Sequence, residues 1–193
     1  MPGSTCNLAL RSINLVNKPY SWQMSVIATL NIGANGATSL AGSSAGLSTP
    51  EDRQRFLALH RRAGAYVLGR NSVSSELYST SEVPIIILSR DMPSQLVDNR
   101  IVINTADGLQ SAMRGIKAEY QAPIVVEAGP KLLTTLVAQG CIEEIELTLS
   151  PLSGDGDFIE SAELLAQFTI IGDELINGTR LLHGRYNGNS AYS

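Results

Sequence analysis

The chain has 193 residues, of which 44% are hydrophobic and 17% charged, a balance that fits one globular domain with a real core and not a disordered chain. The net charge of −4, without clustered Lys and Arg, excludes a nucleic-acid surface, and no apolar run reaches the roughly 18 residues of a membrane span. Cys6 and Cys141 are lone thiols without a C-x-x-C and His60 and His183 are the only histidines, so no disulfide framework and no zinc or histidine metal site is expected.

The opening MPGSTCNLALRSINLV lacks a charged-then-apolar leader, which points to a cytoplasmic protein, and residues 1–17 read as an arm without an assignable role. Met24 to Leu30 is strand-like. Asn31 to Leu47 is rich in Gly, Ala, Ser and Asn and reads as a long loop of the kind that carries function. Thr49-Pro50-Glu51-Asp52 starts a helix: Thr at the N-cap, Pro in the first position, acids in the first turn. That helix is expected to run to about Ala63 with Phe56, Leu57 and His60 on one face. Strands follow at Ala65 to Leu68, Pro84 to Leu88 and Ile101 to Ile103, and Leu109, Met113 and Ile116 have helical spacing. Ile124 to Thr135 (IVVEAGPKLLTT) is a buried strand that ends in Glu127 and turns through Gly129 and Pro130 into a helix over Lys131 to Gln139. Ile142 to Leu149 alternates loosely, Gln167 to Ile171 and Thr179 to Tyr186 are late strands, and residues 187–193 read as a frayed tail. Alternating strands and helices followed by consecutive strands predict a single three-layer α/β domain over residues 18–186. Its sheet should be mixed but mostly parallel, flanked by helices, with an antiparallel C-terminal part.

Ligands of open α/β sheets bind beyond the carboxyl ends of the strands, and three ends stand out. Leu68-Gly69-Arg70-Asn71-Ser72 offers a glycine, a cation and polar donors. Leu88-Ser89-Arg90-Asp91 offers a hydroxyl and an arginine. Glu127-Ala128-Gly129-Pro130-Lys131-Leu132 offers free N–H groups at a helix start, where the helix dipole favours an anion. Arg70 and Arg90 can fork onto a phosphate. A ligand with a pyrophosphate and one further phosphate, such as NADPH, satisfies all three ends. G-x-G-x-x-G after the first strand and the Walker motif are both absent, which disfavours a standard Rossmann domain.

These strand ends resemble the dihydrofolate reductase superfamily. Ile86-Ile87-Leu88-Ser89-Arg90 is similar to the segment that superfamily uses on the 2′-phosphate of NADPH, and Gly69-Arg70-Asn71-Ser72 to its Gly-Arg-x-(Ser/Thr) segment. The closer resemblance is to the reductase domain of riboflavin biosynthesis, carried by Lys18-Pro19-Tyr20, Ser48 to Arg53, Val126-Glu127-Ala128-Gly129-Pro130 and Pro151-Leu152 with Gly154-Asp155-Gly156. The motifs occur in the right order over about residues 18–186. The resemblance implies reduction of 5-amino-6-(5-phosphoribosylamino)uracil with NADPH by a homodimer. It places Gly69, Arg70, Asn71, Ser72, Ser89, Arg90 and Gly129 to Thr135 (Pro130, Lys131 and Leu132 among them) on cofactor. Glu127 becomes the candidate catalytic residue and faces the pyrimidine, with Ser44 and Asn35 beside it.

The chain departs from that pattern in three places. The family's Ser-Leu-Asp-Gly appears as Gly33-Ala34-Asn35-Gly36, so a neutral amide stands where an aspartate is expected. The family's substrate-phosphate arginine falls near His60, with Arg61 and Arg62 as neighbours. A second arginine, expected downstream of Ser72, has no counterpart in Val73 to Glu82. No H-x-E with P-C-x-x-C occurs, so the zinc deaminase half of the bifunctional enzyme is absent from this sequence. Besides the reductase of a ribosylamino-pyrimidine, two readings stay open: a dinucleotide-binding protein of the same fold without catalysis, and a reductase with a different pteridine or carbonyl substrate. The alternating face of Ile142 to Leu149 is weighed both as an ordinary core strand and as a sheet-to-sheet contact.

Overall fold

The computed structural model of the chain describes residues 24–70, 81–92, 95–97 and 100–192. The arm 1–17, Lys18-Pro19-Tyr20, Asn71 and Ser72 lie outside the described residues. The elements are β1 (Val26–Ile32), β2 (Ala37–Ser39), α1 (Pro50–His60), β3 (Ala65–Gly69), β4 (Ile85–Ser89), β5 (Gln95–Val97), β6 (Arg100–Asn104), α2 (Leu109–Glu119), β7 (Ile124–Glu127), α3 (Pro130–Ala138), β8 (Glu144–Leu149), β9 (Gly156–Phe158), α4 (Ser161–Leu165), β10 (Phe168–Ile176) and β11 (Thr179–Tyr186). Their main sheet has nine strands in the order β10-β11-β8-β1-β7-β3-β4-β6-β5. The pairings from β8 through β6 are parallel, whereas β11, β10 and β5 add on antiparallel. β2 and β9 form a separate two-stranded flap.

The strands alternate their side chains between two apolar layers. Val26, Ala28, Ile124 and Val126 join Met113, Ile116, Leu133 and Leu136 of α2 and α3 on one face. Ile27, Val125, Leu68 and Ile87 meet Leu59 of α1 on the other. Burial of each such side chain contributes about 1.5–3 kcal/mol, so both layers are needed to order the sheet between them. β7 fills the gap between β1 and β3, so the chain enters the sheet centre from two directions. The carboxyl ends of β1, β3, β4 and β7 gather on one edge, and that gathering positions the site.

Three local expectations change, and the core-strand reading of Ile142 to Leu149 holds. α1 ends at His60, and its inward residue is Leu59, while Leu57 is 38% exposed. Asp52, Arg55 and Leu59 recur at the spacing of one helix face, so the stripe α1 turns to the sheet is largely polar. The long loop holds β2 and a 3-10 turn, Ser44–Leu47, that Ser43 caps through its hydroxyl. β8 is an internal strand whose Glu144, Ile145, Glu146, Leu147 and Thr148 are all buried, so its alternating face lies inside the fold and cannot meet another sheet. The tail folds back: Ala191 N–H donates to Gly140 O at 2.9 Å and the Tyr192 hydroxyl to Cys141 O at 2.8 Å. The Lys117 ammonium sits 4.2 Å over the Tyr192 ring. Gly140, at φ +68°, makes this docking possible, because a Cβ there would lie 2.5 Å from Asn189 O.

Candidate active site

The gathered strand ends open into a cleft of about 1350 Å³. That exceeds the 300–1,000 Å³ of ordinary small-molecule sites and has room for two ligands side by side. Ser44, Gly69, Arg70, Ser89, Arg90, Glu127, Gly129, Pro130, Lys131 and Leu132 all line it. Thr135 lines it too, whereas Leu133 is a core residue and Leu133, Thr134 and Asn35 are the described site residues read from the sequence that do not line the cleft.

One arm of the cleft is built by β3, β4 and the start of α3. Gly129 is the N-cap of α3 and carries no side-chain cap, so the first-turn N–H groups keep no intrahelical partner. A Cβ at Gly129 would meet nothing within 4 Å, which leaves that backbone open to an approaching anion. Gly69 is small for a different reason: its Cβ would lie 3.2 Å from Leu132, and this close approach seats α3 against the end of β3. The buried Ser89 hydroxyl accepts from the N–H groups of Asp91 (3.3 Å) and Met92 (3.2 Å) and so shapes the turn that presents the exposed Arg90. Arg70 is 60% exposed and has a loose 3.4 Å contact to Asp91.

The other arm lies under α1. Glu127 turns to the α1 face, where its carboxylate is hydrogen-bonded to His60 Nε2. The His60 ring stacks on Tyr66 at 4.5 Å and lies 3.7 Å from the Phe56 ring. Burial, reinforced by Glu127, holds the Tyr66 phenol above its ordinary range. His60, near which the resemblance expects a phosphate-binding arginine, thus engages the carboxylate instead. Arg61 and Arg62 are exposed.

Asn35 does not line the cleft. Its Nδ2 donates to Gly154 O at 2.9 Å and its Oδ1 accepts from Gly154 N–H at 3.1 Å, which fastens the flap-side loops. An aspartate could not make the first of these bonds. Replacement of Asn35 by Asp is therefore expected to cost about 1 kcal/mol of stability and to raise no activity, measured by urea unfolding alongside turnover.

Sequence reasoning missed a polar chain that runs from the cleft into the sheet. Asp52 accepts from the Thr148 hydroxyl (2.5 Å), the Ser48 hydroxyl (2.5 Å) and Asn31 Nδ2 (3.2 Å). Arg55 donates to Thr148 Oγ1 (2.7 Å) and Leu182 O (3.1 Å) and pairs with Glu146 at 2.9 Å. Beyond it, His183 Nε2 meets Glu144 at 2.7 Å. Burial raises the Glu146 carboxyl despite the opposing pull of Arg55 and His183, and burial lowers the Arg55 guanidinium. The available signals were the Asp52–Arg55–Leu59 spacing and the alternating Glu144, Glu146 and Thr148, a pattern that reads as a wet face until α1 is seen to cover it.

Fold and cleft together define an α/β domain of the dihydrofolate reductase type. Residues 24–157 match the RibD C-terminal domain, and the chain belongs to that family. Similar solved structures include a pyrimidine reductase-like protein from Corynebacterium diphtheriae (14% identity, TM-score 0.66, covering 86% of this chain and 92% of that one). Another is dihydrofolate reductase from Enterococcus faecalis complexed with NADP(H) (14%, 0.63, 86% and 98%). A third is the diaminohydroxyphosphoribosylaminopyrimidine deaminase/5-amino-6-(5-phosphoribosylamino)uracil reductase of Thermotoga maritima (11%, 0.65), where the match spans 86% of this chain and 57% of that one. No curated protein is significantly similar in sequence.

Proposed function

We propose that the chain is an NADPH-dependent oxidoreductase, a pyrimidine reductase of the riboflavin type that acts on a ribosylamino-pyrimidine or a related small substrate. The observation that carries this reading is the pairing, in one cleft, of the uncapped α3 start and the Ser89–Arg90 turn with a single carboxylate, Glu127. The donor set fits the cofactor. The first turn of α3 and the open backbone at Gly129 suit a pyrophosphate, and Arg90, with Arg70 and Lys131 nearby, suits a further phosphate.

Bound there, NADPH supplies a hydride for an imine or ring-opened sugar carbon. The chain's own residues orient the acceptor, exclude water beneath α1 and handle the proton that the heteroatom takes up. Glu127 is the carboxylate placed for this, with its direction fixed by His60. Homodimer formation in the cytoplasm completes the reading. The outer strand β10 supports the dimer, since Ile170 and Ile171 are each 39% exposed and Leu175 is 72% exposed. A monomer in sedimentation would remove the dimer.

Replacement of Arg90 by Ala is expected to weaken NADPH by about 10–100-fold, as loss of a charge-assisted contact does, and to leave NADH nearly unchanged. Competitive titration of the two nucleotides checks this. The activity itself is tested by NADPH oxidation against a panel of pyrimidines, pteridines and carbonyl compounds that begins with 5-amino-6-(5-phosphoribosylamino)uracil. If no member oxidises NADPH, the enzyme reading is lost and a dinucleotide-binding module remains.

A further inference from the structure

A reductive step at an imine or ring-opened sugar carbon consumes one proton besides the hydride. A lone carboxylic acid is a poor store for that proton at neutral pH, where carboxyls are ionised, whereas imidazole is the side chain that gains and loses a proton there. The geometry around Glu127 joins the two groups.

Glu127 is the last residue of β7, beyond the fully buried Val125 and Val126, and it lines the cleft with its side chain 12% exposed. His60 is the last residue of α1, next to the buried Leu59, and it does not line the cleft. Its Nε2 meets Glu127 Oε1. Three contacts hold the imidazole in that direction. Its ring centroid lies 3.7 Å from that of Phe56, one helical turn earlier, and 4.5 Å from that of Tyr66, and the Tyr66 hydroxyl donates to His60 O at 3.2 Å. The His60 side chain is 16% exposed, so it still meets solvent. The carboxylate thus faces the cleft, while the imidazole bonded to it stands outside the cleft lining with access to water. The arginine that the resemblance expects near this position could also pair with Glu127, yet a guanidinium cannot give up its proton. Histidine can, and that is the chemical difference this chain makes here.

We propose that His60 is a positioning residue that stores the proton of the reduction and passes it through Glu127 to the substrate. The inference deepens the reductase reading and rests on it. The Nε2–H bond of the imidazolium breaks as the Glu127 carboxylate gains that hydrogen. The carboxyl O–H then breaks as the substrate heteroatom gains hydrogen: the π pair of its C=N or C=O bond forms the new N–H or O–H bond, while the acceptor carbon takes the hydride. The neutral imidazole regains a proton from water or a buffer acid, so one turnover draws one proton from solution and restores both side chains.

Two measurements test it. The first is 15N NMR of the imidazoles in the substrate-free protein, where only His60 and His183 contribute and His60→Gln assigns the signals. His60 is expected to carry hydrogen on Nε2. A bare Nε2 overturns the proposal, because the imidazole then has no hydrogen to pass at that atom. The second is kinetic, with NADPH and a panel substrate that oxidises it. His60→Gln keeps an N–H for Glu127 but cannot pass a proton. It is expected to lower kcat by about 10²-fold, the low end of what a positioned acid or base contributes, with KM nearly unchanged. Added imidazole should restore part of the kcat of His60→Ala and none of that of His60→Gln, whose side chain fills the site. Melting curves verify that the variants fold, and the NMR of the wild type decides the question of the proton if they do not. An unchanged kcat in His60→Gln overturns the proposal, and so does a loss that appears only in KM. If no panel member oxidises NADPH, the reductase reading fails and this inference falls with it. If turnover is seen and either measurement goes against His60, the inference alone fails.

Discussion

Replacing Glu127 by glutamine is expected to lower turnover by about 10²–10⁴-fold, the range that a positioned acid or base contributes. NADPH affinity should remain nearly unchanged. The separation follows from the two arms of the cleft. The cofactor contacts proposed here come from the α3 start and the β4 turn, whereas Glu127 points to the α1 face and is held by His60 against Tyr66 and Phe56. Glutamine keeps the shape and a hydrogen bond to the imidazole but cannot exchange a proton at the operating pH. Single-turnover kinetics together with nucleotide titration read the two effects apart. A fall in affinity equal to the fall in rate would assign Glu127 to cofactor binding, and an unchanged rate would remove it from the chemistry.

Replacing Arg55 by methionine should cost about 3–5 kcal/mol, because it leaves a buried glutamate without its cation. For a domain of this size that is a drop in Tm of about 6–20 °C. The loss depends on pH with a definite sign. Burial already raises the native Glu146 carboxyl, with Arg55 the main opposing influence, so the variant raises it further. A carboxyl whose native pKa exceeds its unfolded value retains more protons in the folded state. Its contribution is full below the ordinary carboxylate range and is lost as pH rises through the native value. The deficit of Arg55→Met relative to wild type should therefore be smaller at pH 5 than at pH 8. His183, Glu144, Asp52 and Glu174 surround the pair in both proteins, so the difference between the two melting curves isolates Arg55. The double substitution Arg55→Met/Glu146→Leu should recover most of the stability, as a buried ion pair exchanged for apolar residues commonly does.

The arm of the cleft built by β3, β4 and the start of α3 was the more legible in the sequence because its signals are local. A strand that ends in Glu127-Ala128-Gly129-Pro130 names its own turn, and the Pro at the first helical position marks where α3 begins. The Thr49-Pro50-Glu51-Asp52 start was equally plain, and the Thr49 hydroxyl does accept from Asp52 N–H at 3.3 Å. The α1 arm was not legible, since it depends on which helix covers which strand. Glu144, Glu146 and Thr148 alternate with Ile145 and Leu147 just as a half-solvated strand would, and only the placement of α1 across that face turns them into a buried network. The short strands β2, β5 and β9 escaped because three residues carry too little pattern. Asn35 escaped for a related reason. The resemblance expects an aspartate there, but the partner of Asn35, Gly154, lies 119 residues along the chain. The tail likewise gave no local sign that Tyr192 would reach Cys141.

The strand-end cleft is proposed to hold a phosphorylated nicotinamide dinucleotide. Titration calorimetry of NADPH and NADH into the protein tests it most directly. One site per chain is expected, with NADPH bound more tightly than NADH and the difference shrinking as salt screens the arginines. Failure of both nucleotides to bind would contradict it.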